Sequence, residues 1–212
     1  MAMSTRRGLQ AAATAAAGAA LLVPTGTASA ATGAAQAGAT VVQANSAFIF
    51  VNAADGERNR IFINPTGSTV TVIDNGASTS AGVGCTLNSD GSVSCPAGNR
   101  TIMVVAGDQQ DTIAQRTGLR ASINAGPGND TVFAQDATAR QSLAGGEGRD
   151  TLLSGSGDDV LVGGPGVDTL SGGVGDDVLD NVDQAPGDSA QGGDGRDTCT
   201  SDSGDQEIGC ES

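Results

Sequence analysis

The chain has 212 residues, of which 10 are basic (all Arg) and 24 acidic, giving a net charge of −14; it has no His, Trp or Tyr, only four Phe, and 33 Gly. Without imidazole there is no Ser-His-Asp triad and no His metal ligand, and a net-negative chain poor in aromatics lacks the phosphate neutralisation and base stacking of nucleic-acid binding. The apolar 38% is largely Ala, which buries little area per residue, so something besides a core of large side chains must hold the chain together.

Residues 1–30 read as a secretory signal peptide. Arg6-Arg7 form a basic start, Leu9 to Val23 an Ala-rich apolar run, and Ala28-Ser29-Ala30 a small-residue cleavage site. The run is shorter than the ~20 residues of a membrane span, and no other stretch is long and apolar enough, so no membrane span is expected. The arginine pair leaves Sec and twin-arginine export both open. Residues 31–39 (ATGAAQAGA) read as a flexible lead.

Residues 40–105 contain strand-like runs at Val41–Val42, Phe48–Val51, Arg60–Ile63, Thr69–Ile73 and Thr101–Val105. Between them lie turn signals such as Asp74-Asn75-Gly76 and Asn88-Ser89-Asp90-Gly91. No helical period is visible. The expectation is a set of short strands forming the first coils or a small β-rich amino-terminal cap that protects an end from edge pairing. The four cysteines form two close pairs, Cys85/Cys95 and Cys199/Cys210. An even count after a signal peptide reads as disulfides. Three connectivities exist; proximity favours 85–95 and 199–210, each contributing ~2–3 kcal/mol.

From residue 106 onward the chain becomes periodic. Residues 145–153 read GGEGRDTLL, 154–162 SGSGDDVLV, 163–171 GGPGVDTLS and 172–180 GGVGDDVLD. These are four uninterrupted nonapeptides of the form G-G-x-G-x-D-x-L/V-x, with Ser154 in place of one first glycine. The array resembles the RTX (hemolysin-type) calcium-binding repeat, whose fold is a parallel β-roll. The resemblance implies an all-β parallel solenoid over 106–212, with Ca2+ held between stacked turns by Asp oxygens and turn carbonyls. Two nonapeptides make one coil, so turns eighteen residues apart stack at about 4.8 Å. Carried onto this chain, Asp150 pairs with Asp168 on one edge and Asp159 with Asp177 on the other; Asp130 and Asp197 extend the two series.

The glycines implied as turn formers are Gly126 and Gly128, Gly145, Gly146 and Gly148, Gly155 and Gly157, Gly163, Gly164 and Gly166, Gly172, Gly173 and Gly175, and Gly193 and Gly195. They admit a tight turn whose carbonyls point at an ion, and the sixth-position Asp adds a hard charged oxygen that suits Ca2+. Residues 145–212 hold sixteen acidic residues against Arg149 and Arg196. Stacked without counterions, those carboxylates repel, so this segment is expected to unfold largely without calcium.

Allowing loops to lengthen, inward positions extend through Ile113, Ile123, Val132, Leu143, Leu152, Leu161, Leu170, Leu179, Ala190, Cys199 and Ile208. Two residues before each lies the Asp position. On the first edge these are Asp111, Asp130, Asp150, Asp168 and Asp188, with Gln206 closing the series without charge. On the second they are Ala121, Gln141, Asp159, Asp177 and Asp197. Calcium is therefore expected along the first edge early and along both edges later. The turns ending at Asp111 and Asp188 lack the glycine pattern and are left open between ion sites and ordinary Asp/Gly loops.

The order of pieces also resembles short secreted calcium-binding proteins of actinobacteria. The matching parts are GCTLNSDGSVSCP (84–96), the repeats, and RDTCTSDSGDQEIGCE (196–211). The functional expectation is a secreted, monomeric, non-catalytic calcium-binding protein. A calcium-dependent polysaccharide lyase or epimerase is the alternative, but His, Lys and Tyr bases are absent. A calcium-bridged adhesion module contacting a cell surface or polysaccharide shares every residue named above.

Overall fold

The computed structural model describes residues 38–211; the expected signal peptide and most of the flexible lead lie outside them. Among the described residues every regular element is a β-strand, and no helix is long and apolar enough to cross a membrane. The first eight strands are β1 (Ala39–Ala44), β2 (Phe48–Asn52), β3 (Arg60–Thr66), β4 (Thr69–Asp74), β5 (Ser78–Ala81), β6 (Thr86–Leu87), β7 (Val93–Pro96) and β8 (Thr101–Val105). Then follow β9 (Thr112–Gln115), β10 (Ala121–Asn124), β11 (Thr131–Phe133), β12 (Gln141–Ala144), β13 (Thr151–Leu153) and β14 (Val160–Val162). The last are β15 (Thr169–Val174), β16 (Val178–Asn181), β17 (Ser189–Asp194), β18 (Thr198–Ser201) and β19 (Gln206–Ile208).

The strands form two sheets, ordered β18-β16-β14-β12-β10-β8-β2-β1-β5 and β19-β17-β15-β13-β11-β9-β3-β4-β7-β6. From β8 onward the chain alternates between sheets, so each strand lies parallel to the one two elements later. This is a parallel β-solenoid. Its first coil is β2 and β3, against which β8 and β9 pair in parallel. β1 precedes the first coil and runs antiparallel to β2; between the first two coils the chain leaves to build the rest of the cap, where β4 runs antiparallel to β3.

Register is set by the inward aliphatics, because a one-residue slip would turn every one of them to solvent. In one sheet Val104, Ile123, Leu143, Leu161, Leu179 and Cys199 are successive partners. In the other they are Ile61, Ile113, Val132, Leu152, Leu170 and Ala190. Cys199 is half-buried and the others are buried, so the lumen is one continuous apolar column, mostly of branched side chains, that runs into the cap through Ile49, Ile63, Val72 and Val93. Each buried Leu or Ile contributes roughly 1.5–3 kcal/mol.

One inward position departs from the periodic expectation. Ile208 is 56% exposed, and Glu207 rather than Ile208 lies opposite Ala190. The connection before β19 is shorter than the period requires, so this strand is displaced by one residue and its faces exchange. Both disulfides form: Cys85–Cys95 with Cα atoms 4.4 Å apart, and Cys199–Cys210 with 5.7 Å. The second ties the final segment back to β18.

Candidate metal centres along the turn edges

The turns from the first sheet to the second stack along one edge, and the return turns along the other. On both edges the turn backbones pair with each other. Gly126 N–H donates to Gly145 O at 2.8 Å, Gly146 N–H to Gly163 O at 3.0 Å and Gly148 N–H to Pro165 O at 2.8 Å. This pairing explains the glycines in two ways. Gly148 takes φ 132°, and a Cβ there would fall on the carbonyl of Gly128 in the preceding coil. Gly126, Gly146, Gly157, Gly164, Gly166, Gly173, Gly175, Gly193 and Gly195 share the positive φ. The first-position glycines Gly145, Gly163 and Gly172 are required for a different reason: a Cβ there would fill the space in front of the Asp that ends the same turn. Gly192 faces Asp197 likewise, and a Cβ there would also meet the carbonyl of Gly209. A Cβ on Gly155 would crowd three carbonyls, those of Ala134, Gln135 and Ala137, and one on Gly128 the carbonyl of Gln109.

The aspartates form hydrogen-bonded ladders. Each Oδ1 accepts the backbone N–H of the Asp one coil earlier. Asp111 N–H donates to Asp130, Asp130 to Asp150, Asp150 to Asp168 and Asp168 to Asp188, each at 2.8 Å. On the other edge Gln141 N–H donates to Asp159 at 2.6 Å, Asp159 to Asp177 at 2.8 Å and Asp177 to Asp197 at 2.9 Å. All of these Asp side chains are buried. The second oxygen, Oδ2, has no hydrogen-bond partner in Asp111, Asp130, Asp150, Asp168, Asp177, Asp188 or Asp197.

A buried carboxylate oxygen without a donor is costly unless a cation or a proton meets it. Burial, helped in several cases by the neighbouring carboxylates, pushes Asp111 and Asp168 up to about 7 and Asp130 and Asp177 up to about 6. Burial likewise raises Asp150, Asp159 and Asp188.

The donor chemistry decides which cation fits. Among the described residues no three acidic or Cys side chains converge on one point, and no cysteine is free. A site here must combine one or two carboxylate oxygens with turn carbonyls. An all-oxygen set of this kind, without imidazole or thiolate, suits Ca2+ and not Zn2+ or copper.

Residues 144–179 match the family model of the RTX calcium-binding nonapeptide repeat in four copies. This segment is an RTX repeat array. No curated protein and no solved structure matches the chain.

Within the RTX segment one turn differs from the rest. Ser154 stands where the other repeats have their first glycine, and its hydroxyl donates to Asp159 Oδ2. Asp159 is thereby the one repeat Asp whose second oxygen is already met by the protein. Outside the segment the ladders continue further than the repeat pattern shows. Asp111 and Asp188 stand in the same column as the RTX aspartates, although Gln109 (φ 78°) and Gln184 (φ 74°) occupy left-handed turn positions without being glycine. Asn59 N–H donates to Asp111 Oδ1 at 2.7 Å and begins the first edge. At its far end Asp205, not Gln206, takes the ladder position: its Oδ1 accepts Asp188 N–H at 3.1 Å. The one-residue displacement of β19 is the reason. Glu211 ends the second edge by accepting Asp197 N–H at 2.6 Å.

The early part of the second edge is sealed by neutral amides. Gln141 occupies the Asp position; its Oε1 accepts Gln115 Nε2 at 3.2 Å, and its Nε2 donates to Leu119 O at 3.1 Å. Ser154 is visible in the repeat, although its bond to Asp159 is not; Asn59, Asp205 and Glu211 lie outside every G-G-x-G-x-D stretch. Only the strand register locates them.

Proposed function

We propose that this protein is a secreted, non-catalytic calcium-binding protein, and that its roll folds when Ca2+ enters between stacked turns. The observation that carries this reading is the column of buried Asp Oδ2 atoms without donors, in register with the RTX segment. The Ca2+ supplies the positive charge that these oxygens lack. The chain's own residues do the rest: Oδ1 fixes each carboxylate to the neighbouring coil, and the stacked glycine turns bring carbonyls to the same edge.

Asp130, Asp150 and Asp168 hold ions on the first edge, and Asp159, Asp177 and Asp197 on the second, Asp159 sharing its Oδ2 with the Ser154 hydroxyl. Asp111 and Asp188, sharing the first column, extend the series. Each Asp bridges two coils, so binding is cooperative, with affinity on the order of 10⁻⁴–10⁻³ M as in other extracellular modules. Export from a low-calcium interior to a high-calcium exterior then switches folding on. Two disulfides fit that destination. The non-catalytic reading draws on the absence of His, Lys and Tyr bases and on the exposure of Arg149 and Arg196, the arginines at variable positions of the glycine-rich turns.

Circular dichroism of the purified chain during calcium titration tests the proposal. Strand signal is expected to grow cooperatively between chelated and millimolar calcium. The same spectrum and melting temperature after exhaustive EDTA dialysis would overturn it.

A further inference from the structure

The first-edge turn that follows the RTX segment, from Val182 to Asp188, lacks the paired glycines and carries Pro186 and the left-handed Gln184. At its entrance stands Asn181, in the register position of Gly163, since Val162 pairs with Asp180. Asn181 is 1% exposed, and neither Oδ1 nor Nδ2 has a hydrogen-bond partner. An Asn buried with both ends unmet is costly. Its Oδ1 shares a small space with another unmet atom. The point a Cβ on Gly163 would occupy lies 2.5 Å from Asn181 Oδ1 and 2.5 Å from Asp168 Oδ2. The two oxygens are therefore no more than about 5 Å apart, a span that one Ca2+ with bonds of 2.3–2.6 Å bridges. Two acceptors face each other with no donor between them.

We propose that Asn181 is a calcium ligand, its Oδ1 joining Asp168 Oδ2 in a site between the last RTX turn of this edge and the divergent turn that follows. The site rests on the calcium-binding reading above and extends it past the end of the recognisable repeat. Where the turn loses its paired glycines, a side-chain amide takes over from turn carbonyls. The divergent turn is built to hold that arrangement. Asp183 Oδ2 accepts Gly166 N–H at 2.8 Å, fastening it to the RTX turn below. Asp202 Oδ2 accepts Asp183 N–H at 2.8 Å from the coil above. Asp150, Asp183 and Asp188 all bear electrostatically on Asp168, so the surrounding field favours a divalent cation. Ser201, the register partner of Asn181 in β18, also has a hydroxyl without a partner.

Isothermal calorimetry of the full chain with calcium chloride separates the outcomes. Asn181→Ala is expected to weaken one site on the order of tenfold or remove it from the stoichiometry. Asn181→Asp, which keeps an oxygen there and adds charge, is expected to keep the stoichiometry. If Asn181→Ala titrates like the unaltered chain, the amide only fills space or donates to Asp168, and the inference falls while the calcium reading stands. Should Asn181→Ala not fold, loss of the site in Asn181→Asp overturns the inference instead. An unaltered chain that takes up no calcium overturns both.

Discussion

The first-position residue of each turn decides what the carboxylate behind it meets. Gly145, Gly163 and Gly172 leave Asp150, Asp168 and Asp177 with an open oxygen; Ser154 gives Asp159 a donor. The fourth-position glycines answer to a different constraint, left-handed backbone beneath a carbonyl. Gly148→Ala is expected to lower the stability of the calcium-loaded roll by about 2–3 kcal/mol in urea denaturation. Gly56 has φ 85° but open space around its Cβ position, so Gly56→Ala should cost only about 1 kcal/mol. Equal losses would show that the close approach between coils is not what demands glycine.

At the scale of an element, an edge behaves as a column of coupled carboxylates. Asp111 and Asp168 near 7, and Asp130 and Asp177 near 6, lie above the ordinary value of 3.8. A calcium-free folded roll therefore holds protons more tightly than the unfolded chain does. That stabilisation is complete below the ordinary carboxylate value and is lost as pH rises through about 6–7. In EDTA, acidification from about pH 8 to about pH 5 is expected to restore strand circular dichroism, because protons stand in for the missing cation. With calcium present the dependence reverses: protons compete for the same oxygens, so the midpoint calcium concentration should fall as pH rises. A strand signal in EDTA that weakens on acidification over this range would contradict the buried, donor-free Oδ2 arrangement. The amide-sealed stretch of the second edge, Gln115 and Gln141, contributes nothing to either trend.

For the whole molecule, stability is distributed unevenly along the solenoid axis. The cap end has Ile49, Ile61, Ile63, Val72 and Val93 fully buried together. At the other end the column thins to Ala190 and the half-buried Cys199, and all three residues of β19 are exposed. The Cys199–Cys210 bridge offsets that weakness. Replacing both cysteines with Ser is expected to cost ~2–3 kcal/mol locally and to speed amide exchange in β18 and β19 while β12 to β14 stay protected. Uniform exchange rates in the two proteins would mean that the bridge does not hold the end.

Much of this was legible in the residues alone because a nine-residue period repeats both a side-chain type and its direction. Leu152, Leu161, Leu170 and Leu179 had to face the lumen together, and an Asp two residues before each had to fall on an edge. The rest depended on which backbone lies next to which. That β2 pairs with β8, about fifty residues later in the chain, follows from closure of the coil and from no local pattern. The slip that turns Ile208 outward and brings Asp205 into the ladder comes from the length of one turn. Asn181 reads as an unremarkable polar residue until the register sets it against Asp168. The nine-residue period determined which side chains share a direction and where acidic oxygens recur, since each repeat carries that information locally, while the roll itself was what the resemblance to RTX repeats implied. Only the tertiary structure decided which oxygens are left without donors, because a hydrogen bond between coils depends on the neighbour that stacking supplies.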